Sequence, residues 1–110
     1  MRQAKILYDG IFCGTLTETD DGEFTFKYDD DYVNQYPDQF ITFTMPVRIE
    51  KYRDKRLFPF FEGLIPEGWL LDIASKNWKI NTNDRMGLLL ACCQNCIGAV
   101  SVEPINVKNE

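Results

Sequence analysis

Residues Glu23 to Tyr28 alternate without error: Phe24, Phe26 and Tyr28 fall on one side of an extended chain, and Glu23, Thr25 and Lys27 fall on the other. Aromatics at a period of two define a half-buried strand. The residues before it supply its neighbours. Ile6-Leu7-Tyr8 and Ile11-Phe12-Cys13 are apolar, β-rich runs separated by Asp9-Gly10, and an Asp-Gly pair provides the positive φ angles of a tight type I′ hairpin. A second pair, Asp21-Gly22, leads into the alternating segment. Phe40-Ile41-Thr42-Phe43-Thr44-Met45 repeats the alternation, with Ile41, Phe43 and Met45 expected inward, and Pro46 ends it because proline cannot donate to a ladder. The first half is therefore expected to form four antiparallel strands.

The second half changes period. Phe58 to Leu64 reads as a short apolar turn or helix that Gly63 and Pro66 stop, and a new helix starts with Pro66 in its first turn. In that helix Leu70, Ile73, Ala74 and Asn77 share one face, with Leu71 and Trp69 on opposite flanks roughly 90° from its centre. Asn81-Thr82-Asn83-Asp84 reads as the capped start of a further helix running through Leu88-Leu89-Leu90 towards Cys93. Ile97 to Val102 is expected as the last strand. The expected class is α+β: an antiparallel β-meander sheet with a helical insert of two to three short helices and a returning C-terminal strand. No linker or repeat divides residues 1–110, so a single domain is expected, with its core over about 4–104 and a tail over about 105–110.

A chain of 110 residues has room for one core, and 45% hydrophobic with 14% aromatic residues supplies the material to bury roughly two-thirds of its unfolded surface. Histidine is absent, which removes Ser-His-Asp and Cys-His catalysis, His-containing zinc sites and an imidazole pH switch. The net charge of −5 has the wrong sign for affinity based on phosphate neutralisation, so direct nucleic-acid binding is not expected. Charge is uneven, with nine acids and three bases in residues 1–40 against five acids and seven bases in residues 41–80. Met1 is followed by Arg2-Gln3-Ala4-Lys5 and only a three-residue apolar run, far short of a signal-peptide core or membrane span. No membrane association is expected. Cys13, Cys92, Cys93 and Cys96 are too clustered for a disulfide framework, and a reduced, cytoplasmic setting fits them better.

Several motifs also admit simpler structural roles. Cys93-Gln94-Asn95-Cys96 has CxxC spacing, but a redox dithiol belongs at a helix N-terminus and this pair follows a helix. A four-cysteine zinc site would need Cys13 to reach three others, two of them adjacent and pointing apart. Structural thiols are the better reading, with no metal and no cofactor expected. Asp29-Asp30-Asp31 fails the EF-hand pattern, since Asn34 stands where the glycine belongs and Phe40 where the bidentate Glu belongs; it reads as a solvated turn. Arg48 to Arg56 holds five bases and two acids around Tyr52 and reads as a solvated or partner-facing loop. Pro66-Glu67-Gly68 sets a sharp start to its helix and brings Trp69 near the tip. Trp69 either lies over the sheet edge or acts as an interface anchor. No glycine-rich phosphate cradle, Walker lysine or kinase catalytic loop occurs.

Three segments resemble the N-terminal domain of HipA-type serine/threonine kinase toxins. They are Gly14-Thr15-Leu16 followed by Phe24 to Asp29, Phe60-Phe61-Glu62-Gly63-Leu64-Ile65-Pro66-Glu67-Gly68, and Cys96-Ile97-Gly98-Ala99-Val100. The phenylalanine pair ahead of Leu-x-Pro-Glu-Gly is the most specific, and the resemblance spans roughly residues 4–104. In that family a kinase core normally follows in the same polypeptide; residues 1–110 hold none of its motifs, so its ATP, magnesium and catalytic functions are not expected to carry over. The resemblance implies a non-enzymatic, HipS-like subunit of a three-component toxin-antitoxin system. Such a subunit binds and neutralises a HipA/HipT-like kinase, with a HipB-like DNA-binding protein as third member. The kinase-contacting surface is then expected around Pro66, Glu67, Gly68, Trp69 and Asp72, and an exposed surface of this kind allows a homodimer when the partner is absent. The alternative is a detached N-terminal part of a split kinase that stabilises or completes the rest.

Overall fold

The computed structural model describes residues 1–65, 84–92 and 99–105. Strands β1 (Arg2–Tyr8), β2 (Ile11–Glu18) and β3 (Phe24–Tyr28) form the expected meander, followed by helix α1 (Asp30–Gln35), strand β4 (Tyr52–Asp54) and helix α2 (Pro59–Glu62). Helix α3 (Arg85–Cys92) and strand β5 (Val100–Ile105) follow among the described residues. The strands make one five-stranded sheet in the order β4-β3-β2-β1-β5, antiparallel at every pairing. This is the α+β arrangement expected, with β5 returning to pair with β1.

Turn chemistry builds the meander. Asp9 and Gly10 have φ of 52° and 80°, the left-handed pair that a two-residue hairpin requires. Gly22 at φ 85° closes the second turn, where Gly22 N–H donates to Thr19 O and Thr19 N–H donates to Glu23 O. The β1–β2 register slips between Ile6 and Leu7, because Ile6 pairs with Gly14 while Leu7 pairs with Phe12. Cys13 is the extra residue of this bulge. Its carbonyl accepts the N–H of Asp29, and its side chain is fully buried.

Register separates the two faces. Val102, Ile6, Gly14 and Tyr28 lie side by side across four strands, and the neighbouring row holds Ala4, Leu16 and Phe26. All are buried, whereas Lys5 and Glu103 on the opposite face are exposed and Thr15 and Lys27 half-buried. Phe61 of α2 packs against Phe26 at 5.8 Å between ring centroids, and Tyr32 of α1 stacks on Tyr28 at 6.0 Å. Met86 and Leu89 of α3 are buried in the same cluster. A sheet with one wet face and one helix-covered face is what an error-free alternation dictates.

Four local expectations are corrected. Phe40–Met45 is a non-strand excursion; Ile41 and Met45 are buried but Phe43 is 82% exposed. Its backbone finds other partners than a ladder. The Tyr28 hydroxyl accepts from Ile41 N–H at 3.1 Å and donates to Met45 O at 2.5 Å, and Met45 N–H closes a turn on Thr42 O. The outer strand of the sheet is instead Tyr52–Asp54, inside the basic stretch read as a loop. Asp29–Asp31 begins a helix, not a solvated turn: Asp29 takes the cap position, and Asp30 and Asp31 lie in the first turn, where the helix dipole favours negative charge. The last strand is Val100–Ile105, later than the expected Ile97–Val102; Ile97 and Gly98 lie outside the described residues, as does the helix expected after Pro66.

Candidate partner-binding surface

Pro66, Glu67, Gly68, Trp69 and Asp72 lie outside the described residues, as do Cys93 and Cys96. The described structure shows how the chain leads to that segment and away from it. Pro59, at the start of α2, pre-sets a helical φ, and buried Phe61 and Ile65 hold this stem to the core. Helix α2 ends at Gly63 as expected, with Gly63 N–H on Pro59 O, Leu64 N–H on Phe61 O and Ile65 N–H on Glu62 O.

Asp84 takes the N-cap position of α3. Its carbonyl accepts from Leu88 N–H, and its Oδ1 accepts from Gly87 N–H at 3.2 Å. The same carboxylate receives both ends of a guanidinium: Arg2 Nη2 lies 2.6 Å from Oδ1 and Arg2 Nη1 lies 3.1 Å from Oδ2. Arg2 Nε also donates to Glu18 Oε1 at 2.7 Å. Arg85 Nε lies 3.3 Å from Glu62 Oε1, which joins the end of α2 to the start of α3. The end of α2 and the start of α3, which precede and follow residues 66–83 in the sequence, are therefore held to each other and to β1. Beside them lies a cleft of about 630 Å³, lined in part by Glu18, Phe24, Leu57, Glu62 and Arg85.

The electrostatics of this region are those of fixed charges. The hydrogen bonds from Arg2 hold the Asp84 carboxyl below the usual carboxylate range despite partial desolvation, and the hydrogen bond to Asp84 raises the Arg2 guanidinium. In the core, burial pushes the Cys13 thiol up to about 12, the Tyr32 hydroxyl up to about 12 and the Tyr28 hydroxyl higher still. Each of these shifts moves a group away from neutral pH, opposite to the tuning a general acid, base or nucleophile needs. Among the described residues no group of three Cys, Asp or Glu side chains is placed to hold a metal ion, and no helix is long and apolar enough to cross a membrane.

Two features have no local signature in the sequence. Nothing around Arg2 marks it as the partner of a residue 82 positions away; only a capped helix start somewhere in Asn81-Thr82-Asn83-Asp84 is legible. The spacing of Phe43 predicts an inward side chain, whereas it stands exposed and stacks on Phe40 at 5.8 Å between ring centroids.

Comparison with known proteins agrees with this fold. The chain is 32% identical over 103 residues to an uncharacterized protein of Haemophilus influenzae (strain ATCC 51907 / DSM 11121 / KW20 / Rd), covering 94% of this chain and 92% of that one. It is 27% identical to a solved structure of the N-terminal domain of HipA toxin, with a TM-score of 0.77 over 98% of this chain and 96% of that one. Residues 4–103 match the family described as the HipA N-terminal domain, and the chain belongs to that family.

Proposed function

We propose that this protein is a non-catalytic, HipS-like regulatory subunit that binds a HipA-like serine/threonine kinase and holds it inactive. Membership of the HipA N-terminal domain family over residues 4–103 carries this reading. The Haemophilus relative supports it, because 92% of that protein's own length is matched by this one domain. The fixed charges and buried, raised thiol and phenols support a binding role over chemistry. On this reading the segment between the α2 and α3 stems meets the kinase through Pro66, Glu67, Gly68, Trp69 and Asp72. Docking there blocks the closure or ordering that phosphoryl transfer requires. The setting is cytoplasmic, a HipB-like DNA-binding protein is the third member of the complex, and the free subunit is able to pair with itself.

The test is autophosphorylation of the cognate HipA-like kinase with and without an equimolar amount of this chain. Suppression is expected, and Trp69→Ala is expected to weaken binding about 30-fold without unfolding the domain, as for a hot-spot truncation of about 2 kcal/mol. Enhanced phosphorylation would instead identify a completing part of a split kinase, and absence of binding would reduce the family relation to one of fold.

A further inference from the structure

Resting on that reading, we infer that the cleft beside α2 and α3 receives an acidic side chain of the kinase partner, held by Lys55 and Arg56. The cleft has a volume of about 630 Å³, the size of a site that encloses a ligand group. Part of its lining is apolar and fixed, because Phe24 and Leu57 face it and both belong to the buried core.

The inference begins with how the charges at this cleft are engaged. Three carboxylates line it, and each is already bound by a guanidinium. Glu18 and Asp84 both accept from Arg2, and Glu62 Oε1 lies 3.3 Å from Arg85 Nε. Lys55 and Arg56 line the same space, yet among the described residues no carboxylate pairs with either side chain. They follow β4 directly, on a backbone that is held in place: Arg56 N–H donates to Asp54 Oδ1 at 3.2 Å, and Leu57 is buried just beyond. Two adjacent cations on a fixed turn cost little backbone entropy when a partner docks.

The charge balance selects a monoanion. Lys55, Arg56 and Arg85, with Arg2 bound to two of the carboxylates, outnumber the three acids by one, whereas the chain as a whole carries −5. One carboxylate neutralises that excess. A phosphoryl dianion would set a further negative charge beside three carboxylates, and like charges at such range repel. The methylene stem of an Asp or Glu side chain suits the apolar lining of Phe24 and Leu57. A protein source follows from the place of the cleft, which is lined by both α2, through Glu62, and the start of α3, through Asp84 and Arg85. These are the two elements that the proposed kinase-contacting segment joins in the sequence. A charge pair formed here would set the register of that contact and steer its encounter.

Binding of the cognate HipA-like kinase to the full chain, followed by calorimetry at low and high salt, tests the inference. Lys55→Gln combined with Arg56→Gln is expected to weaken binding roughly five- to tenfold and to flatten its salt dependence. Lys51→Gln combined with Arg53→Gln removes the same charge from two exposed bases that do not line the cleft, and is expected to leave affinity within about twofold of wild type. All four positions are exposed, and a denaturation midpoint equal to wild type confirms that the fold is intact. Wild-type affinity for the Lys55→Gln, Arg56→Gln chain, with Trp69→Ala impaired, overturns the role of the cleft and leaves the proposed function standing. Equal losses in the two double variants reduce the effect to overall charge and overturn it as well. No binding by the wild-type chain overturns both readings. Saturable binding of inorganic phosphate to the chain alone, lost in the Lys55→Gln, Arg56→Gln variant while kinase affinity is unchanged, assigns the cleft to a free anion and overturns the inference.

Discussion

Arg2 and Asp84 form a two-pronged ion pair, with Nη2 to Oδ1 at 2.6 Å and Nη1 to Oδ2 at 3.1 Å, joining the first strand to the cap of α3 across 82 positions of sequence. Because Asp84 also caps the helix through Gly87 N–H, one carboxylate serves two structural roles.

Replacing Asp84 by Ala removes both roles. Each partner is about two-fifths exposed, so solvent screens the pair and its share stays below about 1 kcal/mol, while loss of a cap costs about 1 kcal/mol. A total loss of about 1–2 kcal/mol is expected by urea denaturation at pH 7. The pH dependence follows from the lowered Asp84 pKa, caused chiefly by the Arg2 hydrogen bonds. The stabilisation is fully present above the ordinary carboxylate value near ~4 and is lost as pH falls through the depressed folded value. The gap between wild type and Asp84→Asn should therefore be widest at neutral pH and close in acid; a gap that widens in acid would contradict the pairing.

Tyr28→Phe is expected to destabilise by about 1–3 kcal/mol, because it leaves Ile41 N–H and Met45 O buried without their partner. The loss should be local as well as global. Limited chymotrypsin digestion under native conditions is expected to cut after Phe40 or Phe43 faster in the variant, since the excursion loses a central tether. Equal cleavage rates would show that the hydroxyls of Tyr32 and Tyr52, which donate to Gln39 O and Pro46 O, suffice.

Gly14→Ala should disrupt the sheet. A Cβ there would stand 2.6 Å from Lys27 O and 2.7 Å from Phe26 Cζ, and a paired backbone carbonyl cannot move without parting β2 from β3. The expected cost is about 1–3 kcal/mol, as for overpacking elsewhere. Gly63→Ala is the control: its nearest atoms lie at 3.5 Å and its φ is −68°, so its denaturation midpoint should stay at or above that of wild type.

Much of this structure was legible from residues close together in the chain. The Asp-Gly hairpin is encoded in two adjacent residues, the buried face of β3 in three alternating aromatics, and the start of α3 in the acceptor chemistry of Asp84. The family relation was legible too, in Phe60 to Gly68 and the strand motifs, and residues 4–103 match the family. In the candidate site, the stem was legible in Pro59 and Gly63, but the ion pairs that hold it were not. Arg2–Asp84 and Glu62–Arg85 join residues far apart in the sequence, and no local pattern marks them.

Phe40–Met45 marks the boundary between the two kinds of information. Its alternation specifies which side chains are apolar, and Ile41 and Met45 are indeed buried. It does not specify where the backbone hydrogen bonds go. A strand and a tethered turn both satisfy the amides and carbonyls, and the choice fell to the tyrosine hydroxyls of Tyr28, Tyr32 and Tyr52. Local sequence thus determined the hairpins, the one-sided sheet and the helix ends, because those depend on φ preferences and on a period of two. Tertiary structure decided the edge strand, the exposure of Phe43 and the clamp at the stems, because hydrogen bonds and ion pairs between distant residues exist only once the core has brought them together.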